Sequence, residues 1–266
     1  MATYLDHILV AHRDRAARDD RPLAPLVDAA KAMPRARRFR AALVDYAGRD
    51  GIAVIAEVKR RSPSKGALAM NLDPKVLARA YAAGGAACLS VLTDDEFFGG
   101  SADDLARARA SGARPVLRKD FTVDLRDVCD ARIMGADCVL LIAAALDDEE
   151  LLDFHQLACE VGLDVLVEIH DEAELDRALK VEPDLIGVNQ RDLFTFEVDQ
   201  ARAMRLAPLM PEGVVRVAES GIRSGEDAAA LAAAGYHALL VGETLVKAGD
   251  PAAAVKSLRV AARDQR

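Results

Sequence analysis

Tryptophan is absent from this 266-residue chain, and aromatic side chains make up only 4% of it. A core with so few rings must be filled by Ala, Val, Leu and Ile, which suits aliphatic strands covered by helices. Cysteine is scarce as well. Cys88, Cys129, Cys138 and Cys159 show no CxxC spacing, so a disulfide framework and a thiolate metal site are both disfavoured, and the four are read as buried, reduced thiols of a cytoplasmic protein. No stretch approaches the roughly 18 uninterrupted apolar residues of a membrane helix. The opening MATYLDHILVAHRDR carries charges where a signal peptide needs an apolar block. Basic residues are outnumbered, giving a net charge of −8. This disfavours nucleic acid or an anionic membrane as partner, and any anionic ligand must then be held by local groups.

Histidines are few, and His7, His12, His155, His170 and His237 share neither a loop nor ligand spacing. No metal is therefore expected. Even His170, the one nearest a strand end, is read as structural or solvated. The chain also lacks a Gly-rich dinucleotide turn, a Walker loop and a nucleophile elbow.

From Gly51 onward, short runs rich in Val, Ile, Leu and Ala recur, each followed by a longer Ala- and charge-rich segment with helical spacing. Eight strands are predicted: 52–58, 86–92, 114–118, 137–142, 163–169, 185–188, 215–219 and 238–242. Their near-continuous apolar character means that both faces are covered, as in parallel sheets wrapped by helices. Asp73-Pro74 and Ser101 open helices, and Gly84-Gly85, Gly112, Gly135, Gly162 and Gly235 close them. A (β/α)8 barrel of the α/β class follows, at an ordinary length for one domain spanning 1–266. A doubly wound open sheet is the rival, but the turn after the first strand, KRRSPSKG, has no GxGxxG. Residues 1–48 are read as an N-terminal helical extension, broken near Pro22, Pro25 and Pro34. Its basic cluster, Arg35, Arg37, Arg38 and Arg40, is taken as a solvated helix face; a bolder reading places it over the barrel mouth.

Barrel chemistry is placed at the C-terminal strand ends. The polar residues collect there: Glu57 and Lys59 after strand one, Lys119 after strand three, Glu168 ending strand five, Asn189 and Arg191 after strand six, and Glu219, Ser220 and Gly221 after strand seven. Any one of them alone is as readily a surface ion pair. Gathered at one mouth, they form a costly arrangement unless they bind or transform something. The loops ESGIRSGED and VGETL, after strands seven and eight, are where many barrels hold phosphate on backbone N–H groups, with Gly221 and Gly242 permitting close approach. The expected chemistry is Lys/Glu acid–base catalysis on a phosphorylated small molecule.

These residues lie in segments that resemble the indole-3-glycerol-phosphate synthase family over nearly the whole chain. The match is strongest in IAEVKRRSPSKG, ending at Gly66, PVLRKDF at 115–121 and LVEIHDEAEL at 166–175. It continues through VLTDDEFFGGS at 91–101, GADCVLLI at 135–142, GVNQRDL at 187–193, AESGI at 218–222 and LLVGETLV at 239–246. The resemblance implies ring closure of 1-(2-carboxyphenylamino)-1-deoxyribulose 5-phosphate, with loss of carbon dioxide and water, and no metal or organic cofactor. Lys119 would be the general acid at the ketone oxygen and Glu168 the general base of the dehydration. Lys59 would bind substrate and serve as a later acid, Glu57 and Asn189 would hold the reacting centre, and Glu219 would lie nearby. Which lysine serves which step stays open. A second lysine or burial is expected to lower the pKa of the acid, with Glu57 offsetting it.

The same resemblance places the substrate carboxylate near Ser62, Asn189 and Arg191, and the phosphate at the backbones around Gly221 and Gly242, with Ser220 and Glu243 adjoining. Phe97 or Phe98, Phe121, Leu140 and Leu193 would wall the aromatic ring, although such residues are core more often than ligand contacts. Gln190 stands where the family has Asn or Ser, and Glu243 where some members have Ser. Association with other tryptophan-pathway enzymes is a further expectation. The alternatives are another phosphosugar barrel, such as phosphoribosylanthranilate isomerase or a ribonucleotide isomerase of histidine synthesis, and a noncatalytic regulatory barrel that binds a phosphosugar.

Overall fold

Eight strands close into an all-parallel barrel: β1 (Ala53–Val58), β2 (Cys88–Leu92), β3 (Val116–Lys119), β4 (Cys138–Ile142), β5 (Asp164–Ile169), β6 (Leu185–Asn189), β7 (Val215–Glu219) and β8 (Ala238–Val241). Each pairs with its neighbours in sequence, and β8 closes on β1 through Ala53–Ala238 and Ile55–Leu240. The computed structural model describes residues 4–63, 65–192 and 195–259. The strands sit where the apolar runs predict them, most starting one or two residues later. Every residue of β1, β2, β4, β6 and β8 is buried, as expected of a sheet covered on both faces.

Helices form the outer ring, and their N-termini are tied by short polar side chains. Asp73, Ser101, Asp124, Asp147, Asp171, Ser224 and Asp250 each accept a backbone N–H from the first turn that follows. Gly135 and Gly235, both at φ 90°, turn the chain from helix back toward strand. Gly112 lies beyond the helix it was expected to close, which ends at Arg109 with Ala110 as its cap.

The N-terminal extension travels the full height of the barrel. Helix α1 (Tyr4–Ala17) lies at the mouth, where His12 meets Asp94 at 3.0 Å and Arg13 meets Glu150 at 2.7 Å. Helix α2 (Leu23–Ala32) packs on the outer helix at Leu125–Ile133. Helix α3 (Phe39–Asp50) closes the bottom with Phe39 and Leu43, both fully buried.

The arginine cluster belongs to that lower end, so the reading that set it over the mouth is corrected. The segment between α2 and α3 is extended rather than helical. The Arg37 backbone N–H donates to Asp137 at 2.7 Å and that of Arg40 to Asp164 at 2.9 Å, both carboxylates lying at strand starts. The Arg37 guanidinium donates to the carbonyls of Arg109 and Arg114, leaving Arg35 and Arg38 exposed. The cysteine expectation holds for Cys88, Cys129 and Cys138, whereas Cys159 is exposed on its helix.

Candidate active site

A cavity of about 810 Å³ opens at the C-terminal ends of the strands. Glu57, Lys59, Lys119, Glu168, Asn189 and Glu219 all line it, from five different strands or the residues just past them. The barrel brings them together by register: Glu168 sits opposite Ile142 and Gly187, and Asn189 opposite Glu219.

Their contacts form one network. Lys119 Nζ lies 3.2 Å from Glu168 Oε2, and Asn189 Nδ2 donates to Glu168 Oε1 at 3.0 Å. Lys59 Nζ lies 2.5 Å from Glu57 Oε1. Two of the carboxylates are seated against glycine: a side chain at Gly187 would run into Glu219, and one at Gly242 into Glu57. A Cβ at either position would force the carboxylate it meets to shift.

The charges set one another. Burial pulls the Lys119 pKa down, but the negative charges of Glu168, Glu219 and Glu57 outweigh it and the net shift is upward. The expectation of a lowered lysine pKa is therefore corrected: the opposing carboxylates prevail over burial. For Glu168, burial pushes upward, while the charges of Lys119 and His170 and hydrogen bonds from Asn189 and Lys119 carry the net shift downward. Glu219 goes the other way. Burial, the adjacent Glu168 and Glu57 push its carboxyl well up against the pull of Lys119. The floor thus carries two ion pairs and a third carboxyl whose pKa is raised.

Of the residues expected to bind substrate, Ser62, Phe98, Phe121, Arg191, Ser220, Gly221, Gly242 and Glu243 line the cavity. Ser220 and Gly221 take left-handed backbone in succession, at φ 66° and 72°, a conformation costly for the serine and easy for the glycine. Two expected residues are not among those lining the cavity. Phe97 is not among the lining residues and packs edge-on against Tyr4, which is. Leu140 is fully buried within β4, and Ile142, two residues on, reaches the cavity in its place. Leu193 lies outside the described residues.

Other lining residues were missed. Tyr4, Leu5 and Ile8 of α1 roof the cavity, and Lys65, Arg223 and Lys247 add cations at its edge. Lys65 was visible as the last charge of KRRSPSKG, in the loop after β1 where barrel sites are built. The α1 residues carried no signal beyond helical amphipathicity. Among the described residues, the one group close enough to hold a metal is His12, Asp94 and Asp120, under α1. Its donors are engaged: Asp94 takes His12 and the backbone N–H groups of Phe97 and Phe98, and Asp120 takes Arg118 and the Phe121 N–H.

Comparison with known proteins decides the family. The profile described as indole-3-glycerol phosphate synthase matches residues 5–258. The chain belongs to that family. It is 48% identical over 263 residues to the indole-3-glycerol phosphate synthase of Laribacter hongkongensis, a match covering 97% of this chain and 99% of the other. It is 54% identical over 208 residues to that of a Nocardioides species, covering 78% and 80%. The thiamine phosphate pyrophosphorylase of Pyrococcus furiosus superposes with a TM-score of 0.59 at 15% identity, over 79% of this chain and 95% of that one, a likeness of fold alone. The synthase matches favour neither the isomerase reading nor the noncatalytic one.

Proposed function

We propose that this chain closes the indole ring of 1-(2-carboxyphenylamino)-1-deoxyribulose 5-phosphate, with Lys119 as general acid and Glu168 as general base. The observation that carries this reading is the Lys119–Glu168 pair, 3.2 Å apart at the floor of a cavity large enough for a small phosphorylated substrate. Lys119 is held as an ammonium, able to protonate the ketone oxygen and stabilise developing alkoxide as the ring carbon attacks. Carbon dioxide then leaves and aromaticity returns.

Proton donation has a second effect. Once Lys119 is neutral its hold on Glu168 is gone, and burial, the largest influence on that carboxylate, raises its basicity. Glu168 thereby becomes a stronger base after the step that needs it ionised and before the dehydration that needs it to accept a proton. Lys59, paired with Glu57, is the acid available to the departing hydroxyl, and Asn189 fixes Glu168.

Ser62, Asn189 and Arg191 are assigned to the substrate carboxylate, and the backbones around Gly221 and Gly242, flanked by Ser220 and Glu243, to the phosphate, where Lys65, Arg223 and Lys247 add positive charge. Phe98, Phe121 and Ile142 wall the aromatic ring. No metal or organic cofactor enters this scheme. Residues 1–266 are taken to work as one domain in the cytoplasm, with other tryptophan-pathway enzymes as candidate partners. No helix among the described residues is long and apolar enough to cross a membrane.

Mixing the purified chain with the carboxyphenylamino-deoxyribulose phosphate and following indole absorbance tests the reading. Turnover is expected; saturable binding with no absorbance change would refute it and restore the noncatalytic barrel.

A further inference from the structure

At the lower end of the barrel, opposite the catalytic cavity, a second cavity of about 650 Å³ opens between the extended segment 33–38, the outer helix at Leu125–Ile133 and the start of β5. Six of its lining residues are cations, Lys31, Arg35, Arg37, Arg38, Arg40 and Arg132, against two anions, Asp164 and Asp184. That balance is the reverse of the chain's, whose net charge is −8. Three of the cations are committed. Lys31 pairs with Glu160 at 2.5 Å and Arg40 with Asp184 at 3.3 Å, and the Arg37 guanidinium is held by the carbonyls of Arg109 and Arg114. Arg35 and Arg38 are exposed, and their side chains have no partner among the described residues. Arg132 differs from all of these. It is only 3% exposed, so its charge has been taken out of water. Its Nε donates to the Val161 carbonyl at 3.0 Å and its Nη2 to those of Met33 and Pro34 at 3.2 and 2.5 Å, all neutral acceptors. Among the described residues Nη1 makes no hydrogen bond and no carboxylate pairs with the group. Burial pulls its pKa below the ordinary arginine value, with the charge of Asp137 opposing and that of Arg109 adding.

We propose that this lower cavity binds a small phosphate monoester, with Arg132 Nη1, Arg35 and Arg38 on the phosphate and the body of the molecule against Met33, Ala36, Ala41 and Leu163. A buried guanidinium without a counter-ion is costly, and an anion reaching it through the cavity would offset that cost. Arg132 already touches the Met33 and Pro34 carbonyls, which sets its charge beside Arg35, the next residue in the chain. Guanidinium forks match phosphate oxygens, and a monoester carries about two negative charges at neutral pH, where a simple carboxylate carries one against three uncompensated arginines. The four apolar or small side chains in the lining give the cavity a wall for the rest of the molecule, and its volume lies in the range of small-molecule sites. The acidic chain as a whole disfavours nucleic acid there. The bound molecule bridges the segment between α2 and α3 to the outer helix that bears Arg132, fastening the N-terminal extension to the barrel far from the catalytic floor.

Phenyl phosphate and inorganic phosphate, titrated calorimetrically at matched ionic strength into the native chain, the double variant Arg35→Ala/Arg38→Ala and Arg132→Met, test the site. Both probes can also enter the catalytic cavity, so the reading is the component of binding that the variants lose. The native chain should show a phenyl phosphate site whose Kd rises roughly tenfold or more in each variant, as the loss of charge-assisted hydrogen bonds requires. Inorganic phosphate should fill the same site more weakly, lacking the apolar body. Arg132→Met removes three backbone contacts as well as the charge, so its melting curve is taken first; the double variant alters only exposed side chains and decides the matter if Arg132→Met does not fold. Superimposable isotherms for the native chain and the double variant overturn the site. Inorganic phosphate binding there as tightly as phenyl phosphate overturns the monoester. The titration needs no turnover, so failure of the ring-closure reading leaves it intact.

Discussion

At the scale of single residues, the site works through competition between burial and charge. Glu168 and Glu219 are buried and Lys119 is partly so, and the direction in which each pKa moves follows from its neighbours. Lys119→Ala removes both the proton donor and the partner of Glu168, and kcat should fall by roughly 10²–10⁴-fold; steady-state rates within a few-fold of native would dismiss Lys119 as the acid. Glu168→Gln keeps the shape but cannot accept a proton, so substrate should still bind while the single-turnover rate drops. Glu219 gives a pH prediction of the opposite kind. Its folded pKa is raised, so the folded state holds a proton that the unfolded chain sheds above the usual carboxyl range, and stability falls as pH climbs toward the folded pKa. Glu219→Gln mimics the neutral acid, and its melting temperature should match the native one near pH 4 and exceed it increasingly toward pH 8. Parallel melting curves across that range would mean that Glu219 is ionised in the fold.

At the scale of elements, the strands were readable and the roof was not. Each barrel strand is a short, doubly covered apolar run, and this leaves a mark in composition alone: 138–142 reads CVLLI and is buried throughout. Helix α1 covers the mouth through Tyr4, Leu5 and Ile8, and nothing local says which surface an amphipathic helix will face. The arginines of 35–40 read first as a solvated helix face and only second as a cover for the mouth, yet two of them serve the opposite end through backbone N–H groups, whose partners no side-chain pattern announces. Leu140 and Ile142 show the same limit, since the residue that reaches the cavity depends on where the strand ends. The tie between α1 and the barrel can be tested. Buried Asp94 has its pKa lowered because hydrogen bonds from His12 and the Phe97 N–H, with the charge of His12, outweigh burial, so the tie strengthens folding above the ordinary carboxyl pKa and fades as pH falls through the lower, folded value. His12→Ala at neutral pH should weaken α1 docking by about 1–3 kcal/mol, read as faster hydrogen exchange in residues 4–17 with the barrel strands unchanged. Equal exchange in variant and native chains would show that Leu5 and Ile8 hold the helix without it.

At the scale of the whole molecule, the chain is strongly acidic, with a net charge of −8, yet it presents its anionic substrate with a floor of two ion pairs and one carboxyl of raised pKa. Local arrangement, rather than overall charge, decides what the cavity accepts. Because Glu57 and Glu168 are each paired with a lysine and the pKa of Glu219 is raised, the floor is poorly suited to a divalent cation, and saturating chelator should leave kcat unchanged. Inhibition by chelator that added metal reverses would overturn this account of the floor. The glycines at 187 and 242 carry a consequence for anyone reshaping the enzyme. A library that varies the cavity wall for a bulkier or smaller substrate can treat Phe98 or Ile142 as adjustable upholstery. At Gly187 and Gly242 even an alanine evicts an acid from its seat, so the damage would register as altered ionisation before it registered as altered fit.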